Sequence, residues 1–379
     1  MRLRLPNNIS RSRNNLPEEK AVEARKSNKR RYLFYIAQNY SYAMLRPLQQ
    51  VILARGDEAC WFLEGREVDP KFLKADEKCL PDIDAVKAWK PDAVFVPGNV
   101  VPSFIPGVKV GVFHGFNAGK MNHKGREDHF EIRDCFDLYC TQGPATTLPF
   151  LELEKKIGTF TVAETGWPAL DPLFIENKDN PYIKPDDPRP VVLFCSTFSP
   201  SLTCAPEVFE QIKALSQKSQ WRWLVQFHPK MKPSIVEQYK TLENENLQFV
   251  ETDNVIPLLQ AGDVMLCDTS SILLMFLMQR KPVVTFKNQS PKAHLIDINR
   301  VEEIEPALTR ALSRPDDLMA HIHDYCNQIH PTGDGQSSQR VLAATDALID
   351  KGTAWLKPKP LNLLRHFKMR RKLGYWKLF

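Results

Sequence analysis

Four stretches of this 379-residue chain place chemically capable side chains directly after a short apolar run. The stretch 110–120 leads through His114 and Gly115 to Asn117, Gly119 and Lys120, and the stretch 223–230 ends on His228, Pro229 and Lys230. Imidazole titrates near neutrality, so either histidine can take a proton from a hydroxyl, with a lysine close by for negative charge. Gly115 lets a ligand approach the backbone. Taken singly, each histidine is as readily a cap or a turn residue. As strand-end residues of two successive domains they form a cleft-lining pair, because open parallel sheets bind ligands beyond the carboxyl ends of their strands.

The third stretch is Asp268, Thr269, Ser270 and Ser271, between the apolar runs 264–267 and 272–278. Helix capping accounts for one or two of these side chains. Consecutive hydroxyls above the free N–H groups of a helix start also predict an anion site, read here as a diphosphate cradle. The fourth stretch, 330–340, carries Asp334, Gly335, Ser337, Ser338 and Arg340 in a glycine-flanked loop entering a helix. Ser337 is a candidate cap there, and Arg340 faces either a phosphate or solvent.

Other patterns point away from chemistry. The stretch 110–120 is not an NTPase phosphate loop, since His114 stands where the first glycine belongs and Met121 where Ser or Thr belongs. Asp82 and Asp84 match the D-x-D pattern of metal-dependent sugar transferases. They follow Pro81 and open a helix-like segment, so capping is expected. His321 and His323 fall on different helix faces, so no metal site with Asp324 is expected.

The elements that must position these groups follow from the apolar runs. Strands are predicted at 32–37, 59–63, 93–96, 108–113, 138–140 and 160–163, and again at 191–195, 221–227, 247–250, 264–267 and 282–286. They are apolar on both faces and separated by helix-length segments, as buried parallel strands are. Helices are predicted at 206–219, 233–242, 270–278, 301–313, 316–329 and 337–350. The predicted organisation is a basic leader (1–30), an α/β acceptor domain (31–165), a Pro-rich linker (166–190), an α/β nucleotide-donor domain (191–350) and a basic, aromatic tail (351–379).

Charge divides along the same lines. The net +6 combines ten Lys/Arg against three Glu in 1–31, nine Lys/Arg and no acid in 351–379, and 32 bases against 42 acids between them. An acidic body disfavours nucleic acid, whose binders spread cations over a folded face. No apolar stretch approaches the ~20 residues of a bilayer span, and the amino terminus lacks the apolar segment of a secretory signal, so a cytoplasmic protein is expected. The eight cysteines contain no C-x-x-C pair and are expected as reduced thiols. In the tail, Leu, Phe, Tyr and Trp are mixed with bases without forming one clean stripe. Each base is worth about 1 kcal/mol near an anionic surface, so peripheral association with the inner face of the cell membrane is expected.

Taken in order, His114-Gly115 with Lys120, the stretch 166–171, His228-Pro229, Asp268 to Ser271 with Lys281-Pro282, and Asp334 to Arg340 resemble the CDP-glycerol glycerophosphotransferases, the teichoic-acid primases and polymerases. The resemblance covers roughly residues 105 to 345. It implies a GT-B fold, two Rossmann-type α/β domains facing across a cleft. It also implies transfer of glycerol phosphate from CDP-glycerol to a hydroxyl of a lipid-linked or growing cell-surface polymer, with release of CMP. Carried onto this sequence, His114 is the base, His228 the second essential histidine beside the diphosphate, and Ser270 and Ser271 are diphosphate ligands. Asp334 to Arg340 correspond to a nucleotide-side motif. The chain departs from the family at Thr269, where an aromatic residue is usual, at Met275, where an Asp is usual, and over 288–295. It therefore reads as a divergent member, and another CDP-alditol donor stays open. So do Mg2+ assistance, a GT-B glycosyltransferase using a nucleotide sugar, and a catalytically silent polymer- or membrane-binding protein.

Overall fold

The computed structural model describes residues 29–116, 125, 127–252 and 254–377. Lys120 and most of the leader lie outside them. The first sheet contains β1 (Arg31–Ile36), β2 (Glu58–Leu63), β3 (Ala93–Val96), β4 (Val108–Gly111), β5 (Leu138–Thr141) and β6 (Thr161–Glu164). Its order is β2-β1-β3-β4-β5-β6, with α1 (Ser41–Ala54), α2 (Ile83–Trp89) and α3 (Pro144–Ile157) in the connections. A short helix α4 (Asp171–Phe174) then leads to the second sheet. That sheet contains β7 (Val191–Ser196), β8 (Arg222–Phe227), β9 (Leu247–Phe249), β10 (Val264–Cys267), β11 (Val283–Phe286) and β12 (Ile296–Ile298), in the order β12-β11-β10-β7-β8-β9. Around it lie α5 (Ala205–Ser216), α6 (Pro233–Lys240), α7 (Ile256–Ala261), α8 (Ile272–Leu277), α9 (Ile304–Leu312) and α10 (Asp316–Ile329). Two last helices, α11 (Ser337–Lys351) and α12 (Leu363–Leu373), follow. Every pairing within the two sheets is parallel.

Strands covered on both faces must be apolar at every position, which is why the runs show no alternation. In β7, Val192 and Phe194 enter one apolar cluster, while Leu193 and Cys195 enter the cluster on the other side of the sheet. β1 divides in the same way, Tyr32 and Phe34 against Leu33 and Tyr35. The strand order reverses between β1 and β3 and between β7 and β10, so each sheet opens a crevice at those carboxyl ends.

The chain departs from the predicted organisation in three places. Trp167, Leu170 and Leu173, read as linker, are core residues of the second domain. Helix α11, read with the second domain, instead packs Val341, Leu342 and Leu348 into the core of the first, where Asp346 accepts a hydrogen bond from Tyr32 Oη at 2.5 Å. The tail forms α12, which brings Leu373 and Tyr375 to the first domain's other cluster. Helix periodicity reports that a face is buried but not which body it is buried against. Asp82 caps α2 by accepting the Ala85 N–H at 2.8 Å, as expected. All eight cysteines are free. Among the described residues no helix is long and apolar enough to cross a membrane.

Candidate active site

His114 stands three residues beyond β4 and is exposed. The preceding Phe113 has φ 56°, a left-handed conformation uncommon for a bulky residue and held only where the surroundings impose it. Its ring is fixed by His129 at 4.9 Å and Phe150 at 5.3 Å, and its carbonyl accepts from Trp167 Nε1 at 3.3 Å. This turn ends β4 two residues before the predicted limit and presents His114 to solvent. His114 Nδ1 lies 3.2 Å from the carbonyl oxygen of Pro97, just past β3. A carbonyl can only accept, so Nδ1 carries the proton and Nε2 keeps its lone pair. Tyr40, which follows β1, flanks the ring. A side chain at Gly115 would meet no atom of the described residues within 4 Å, and its carbonyl is held by Gln142 Nε2 at 2.9 Å. Phe116 then packs on Trp167 and on the second domain's apolar cluster, which takes this loop to the domain boundary.

His228 ends β8 with the opposite tautomer. Its Nδ1 accepts the Lys230 backbone N–H at 3.0 Å, so in the neutral ring Nε2 is the donor. Phe198, from the loop after β7, lies over the imidazole with ring centroids 4.5 Å apart, and Lys230 Nζ stands 5.8 Å from the Phe198 centroid. Partial burial and the Lys230 charge lower the His228 pKa, which keeps the ring neutral at pH 7. The two histidines thus offer complementary groups, a lone pair on His114 and an N–H on His228. Spacing in the sequence carried no signal for Phe198 or Tyr40, because each comes from a loop after a different strand.

Asp268 is fully buried at the β7/β10 crevice. Its carboxylate accepts from Ser196 Oγ at 2.5 Å, from Thr197 N at 3.0 Å and from Cys204 N at 3.1 Å. These bonds clamp the loop that carries Phe198. Thr269 Oγ1 accepts from Gln289 N at 3.1 Å, and Asn288 Nδ2 donates to the Asp268 carbonyl at 3.4 Å. Asn288 and Gln289 thus close the turn that carries Asp268 and Thr269. Ser270 and Ser271 precede α8, and their hydroxyls make no hydrogen bond among the described residues.

The loop 334–340 is committed to holding the domains together. The buried Asp171 carboxylate accepts the N–H groups of Ser337 at 2.8 Å and Ser338 at 2.7 Å, which caps α11. Arg340 donates to the Thr165 carbonyl at 2.8 Å, to Asp334 at 2.8 Å and to Thr332 Oγ1 at 3.0 Å. Gly335 sits against Ile175 and the Asp171 carbonyl. At Gly166, with φ 79°, a Cβ would stand 2.5 Å from Ser337 Oγ and 2.9 Å from His330 Nε2. The stretches 166–171 and 330–340, far apart in sequence, are therefore the two chain crossings between the domains, locked to each other. The lock uses the Asp334 carboxylate, the Arg340 guanidinium and the backbone N–H groups of Ser337 and Ser338, whereas the buried Ser338 hydroxyl has no hydrogen-bond partner among the described residues.

His330 belongs to the lock, and its Nε2 accepts the Trp167 N–H at 3.0 Å. Burial lowers its pKa to about 4, so it folds neutral. A histidine whose folded pKa lies below the unfolded ~6.5 binds fewer protons in the native state, so stability is full above pH 6.5 and falls as the pH drops toward 4. The loss from His330 should reach the order of 3 kcal/mol by pH 4. Chemical denaturation of wild type and His330→Gln across this range checks it, since the variant should show a shallower acid slope. Among the described residues no group of three or more His, Cys, Asp or Glu side chains is placed to hold a metal ion.

Two parallel α/β domains with ligand-binding crevices at their strand ends, joined by two crossings, define a GT-B architecture. Residues 122–292 match the family model of the CDP-glycerol:poly(glycerophosphate) glycerophosphotransferases, a segment of just under half of the chain. The matched segment contains His228 and Asp268 to Ser271. His114 and Gly115 lie just before it, and Asp334 to Arg340 lie beyond it. Among solved structures, the chain is similar to a putative UDP-N-acetylglucosamine 2-epimerase from Listeria monocytogenes, with 16% identity over 86% of this chain and 98% of that one and a TM-score of 0.60. It is also similar to the wall teichoic acid polymerase TagF, with 12% identity over 85% and 90% and a TM-score of 0.61. A co-structure of S. aureus MnaA with UDP shares 15% identity over 88% and 100%, with a TM-score of 0.59. Identities this low establish a shared fold. No curated protein sequence matches the chain.

Proposed function

We propose that the protein transfers glycerol phosphate from CDP-glycerol to a hydroxyl of a lipid-linked or growing cell-surface polymer at the cytosolic face of the cell membrane. The observation that carries this reading is the complementary hydrogen bonding of the two strand-end histidines, within a chain whose segment 122–292 matches the glycerophosphotransferase family model. His114 Nε2 takes the proton of the acceptor hydroxyl as its oxygen bonds to the distal phosphorus of the donor. The bond from that phosphorus to the bridging oxygen breaks, and CMP leaves with the electron pair. The Nε2–H of His228 and the Lys230 ammonium meet the charge on the phosphoryl oxygens. The Ser270 and Ser271 hydroxyls, without a hydrogen-bond partner among the described residues, hold the diphosphate at the start of α8. CMP is a good leaving group, so no catalytic carboxylate is needed, in keeping with the burial of Asp268 in a clamp.

A donor screen tests the reading. Purified protein is incubated with CDP-glycerol, CDP-ribitol and common nucleotide sugars, with and without Mg2+ and a polyol-phosphate acceptor, and the released nucleotide is identified. CMP from CDP-glycerol is the expected result. A nucleoside diphosphate released from a sugar donor, with none from CDP-glycerol, would instead identify a GT-B glycosyltransferase.

A further inference from the structure

Helix α12 is in part amphipathic in the reverse sense. On a soluble protein the apolar face of a surface helix packs inward and the charged face meets water. Here the half-buried inward face carries Arg365, His366 and Arg370 together with Met369 and Leu373. Arg365 donates to the Arg133 carbonyl, His366 Nε2 meets Ser103 Oγ at 2.9 Å, and the Arg370 guanidinium lies 4.8 Å over the Phe104 ring while donating to the Lys377 carbonyl at 2.8 Å. Buried Tyr375 and the Lys377–Asp84 pair hold the end of the tail. The outward face presents Leu363, 70% exposed, Leu364, 81%, and Phe367, 56%, with Trp376 packed on Phe367 at 5.5 Å and Leu361 exposed beside them. The helix is therefore anchored largely by polar groups, with Met369 and Leu373 beside them, and leaves Leu363, Leu364 and Phe367 exposed among Lys368, Arg371 and Lys372.

We propose that this outward face docks into the headgroup region of an anionic bilayer, with Leu363, Leu364, Phe367 and Trp376 entering the interface. Charge selects the partner. Lys368 and Arg371 are exposed on the same helix, and residues 351–379 contain no acid, so the surface that covers the ridge must be apolar within and negative at its rim. A bilayer with anionic lipids supplies both, and aromatic side chains favour its interfacial zone. The leader is a poor cover, because residues 1–28 carry seven Lys/Arg against three Glu and so share the helix's sign. The inference extends the proposed envelope function by naming the surface that meets the membrane. It is tested without donor or acceptor, so either reading can fail alone.

The full chain is sedimented with vesicles of phosphatidylcholine, with and without phosphatidylglycerol, beside the triple variant Leu363→Ser, Leu364→Ser, Phe367→Ser and the double variant Lys368→Glu, Arg371→Glu. Wild type should pellet with the phosphatidylglycerol vesicles. The triple variant should partition about tenfold more weakly or worse, and the double variant should lose the preference for anionic lipid. All five positions are exposed, so an unchanged melting temperature confirms that the variants are folded. The inference is overturned if wild type stays in the supernatant, or if the triple variant pellets as wild type does. A dimer seen by light scattering that the triple variant dissolves, without vesicle binding, would assign the face to self-association and overturn it equally.

Discussion

Replacing His114 by alanine is expected to lower CDP-glycerol-dependent transfer by about 10²–10⁴-fold, the range lost with a general base. The expectation rests on geometry. The Pro97 carbonyl fixes the Nδ1 proton of His114, the left-handed Phe113 turns the ring out of the sheet, and no side chain of the described residues crowds Gly115. Because the ring is exposed and, among the described residues, anchored by a single hydrogen bond, its removal should leave the melting temperature near that of wild type. Binding of CDP-glycerol, followed by calorimetry, should also change little, since the base acts on the acceptor. His228→Ala should lower both transfer and donor binding, as the loss of a hydrogen bond to the diphosphate would. Near-wild-type turnover by His114→Ala would sink the assignment.

Asp171→Ala should cost about 3 kcal/mol of stability, since it leaves two buried N–H groups of α11 without an acceptor, at roughly 1–3 kcal/mol each. Denaturant midpoints measure the loss, and a wild-type midpoint would show that the lock contributes little. Asp171→Asn keeps one acceptor oxygen in place and should recover part of it. Gly166→Ala should be comparably harmful for a different reason: the left-handed backbone and the 2.5 Å approach to Ser337 Oγ leave no room for a methyl group. Because these residues join the two domains, the variants should also lose transfer activity at temperatures well below the midpoint.

The loop 334–340 shows where sequence reasoning stopped. Glycines, hydroxyls and an arginine before a helix are the same residue types whether the helix start holds a phosphate or a carboxylate of the protein. Only the position of Asp171, 166 residues earlier than Ser337, decides between them. Asp268 is a similar case, since its place after β10 was legible but its use as a clamp depends on Ser196 and Cys204 from another strand end. Ser270 and Ser271 sit at the start of α8 as read, their hydroxyls without a hydrogen-bond partner among the described residues.

By itself the sequence determined the α/β class, the two successive sheets, most strand limits within two residues and both strand-end histidines. Those features are written locally, in runs apolar on both faces and in the residues that end them. Tertiary structure alone decided that α11 and α12 return to the first domain, that 166–171 and 330–340 interlock, and that Leu363, Leu364 and Phe367 of α12 are left exposed. Each of these depends on which surface meets which across many intervening residues, and neither propensity nor periodicity carries that information.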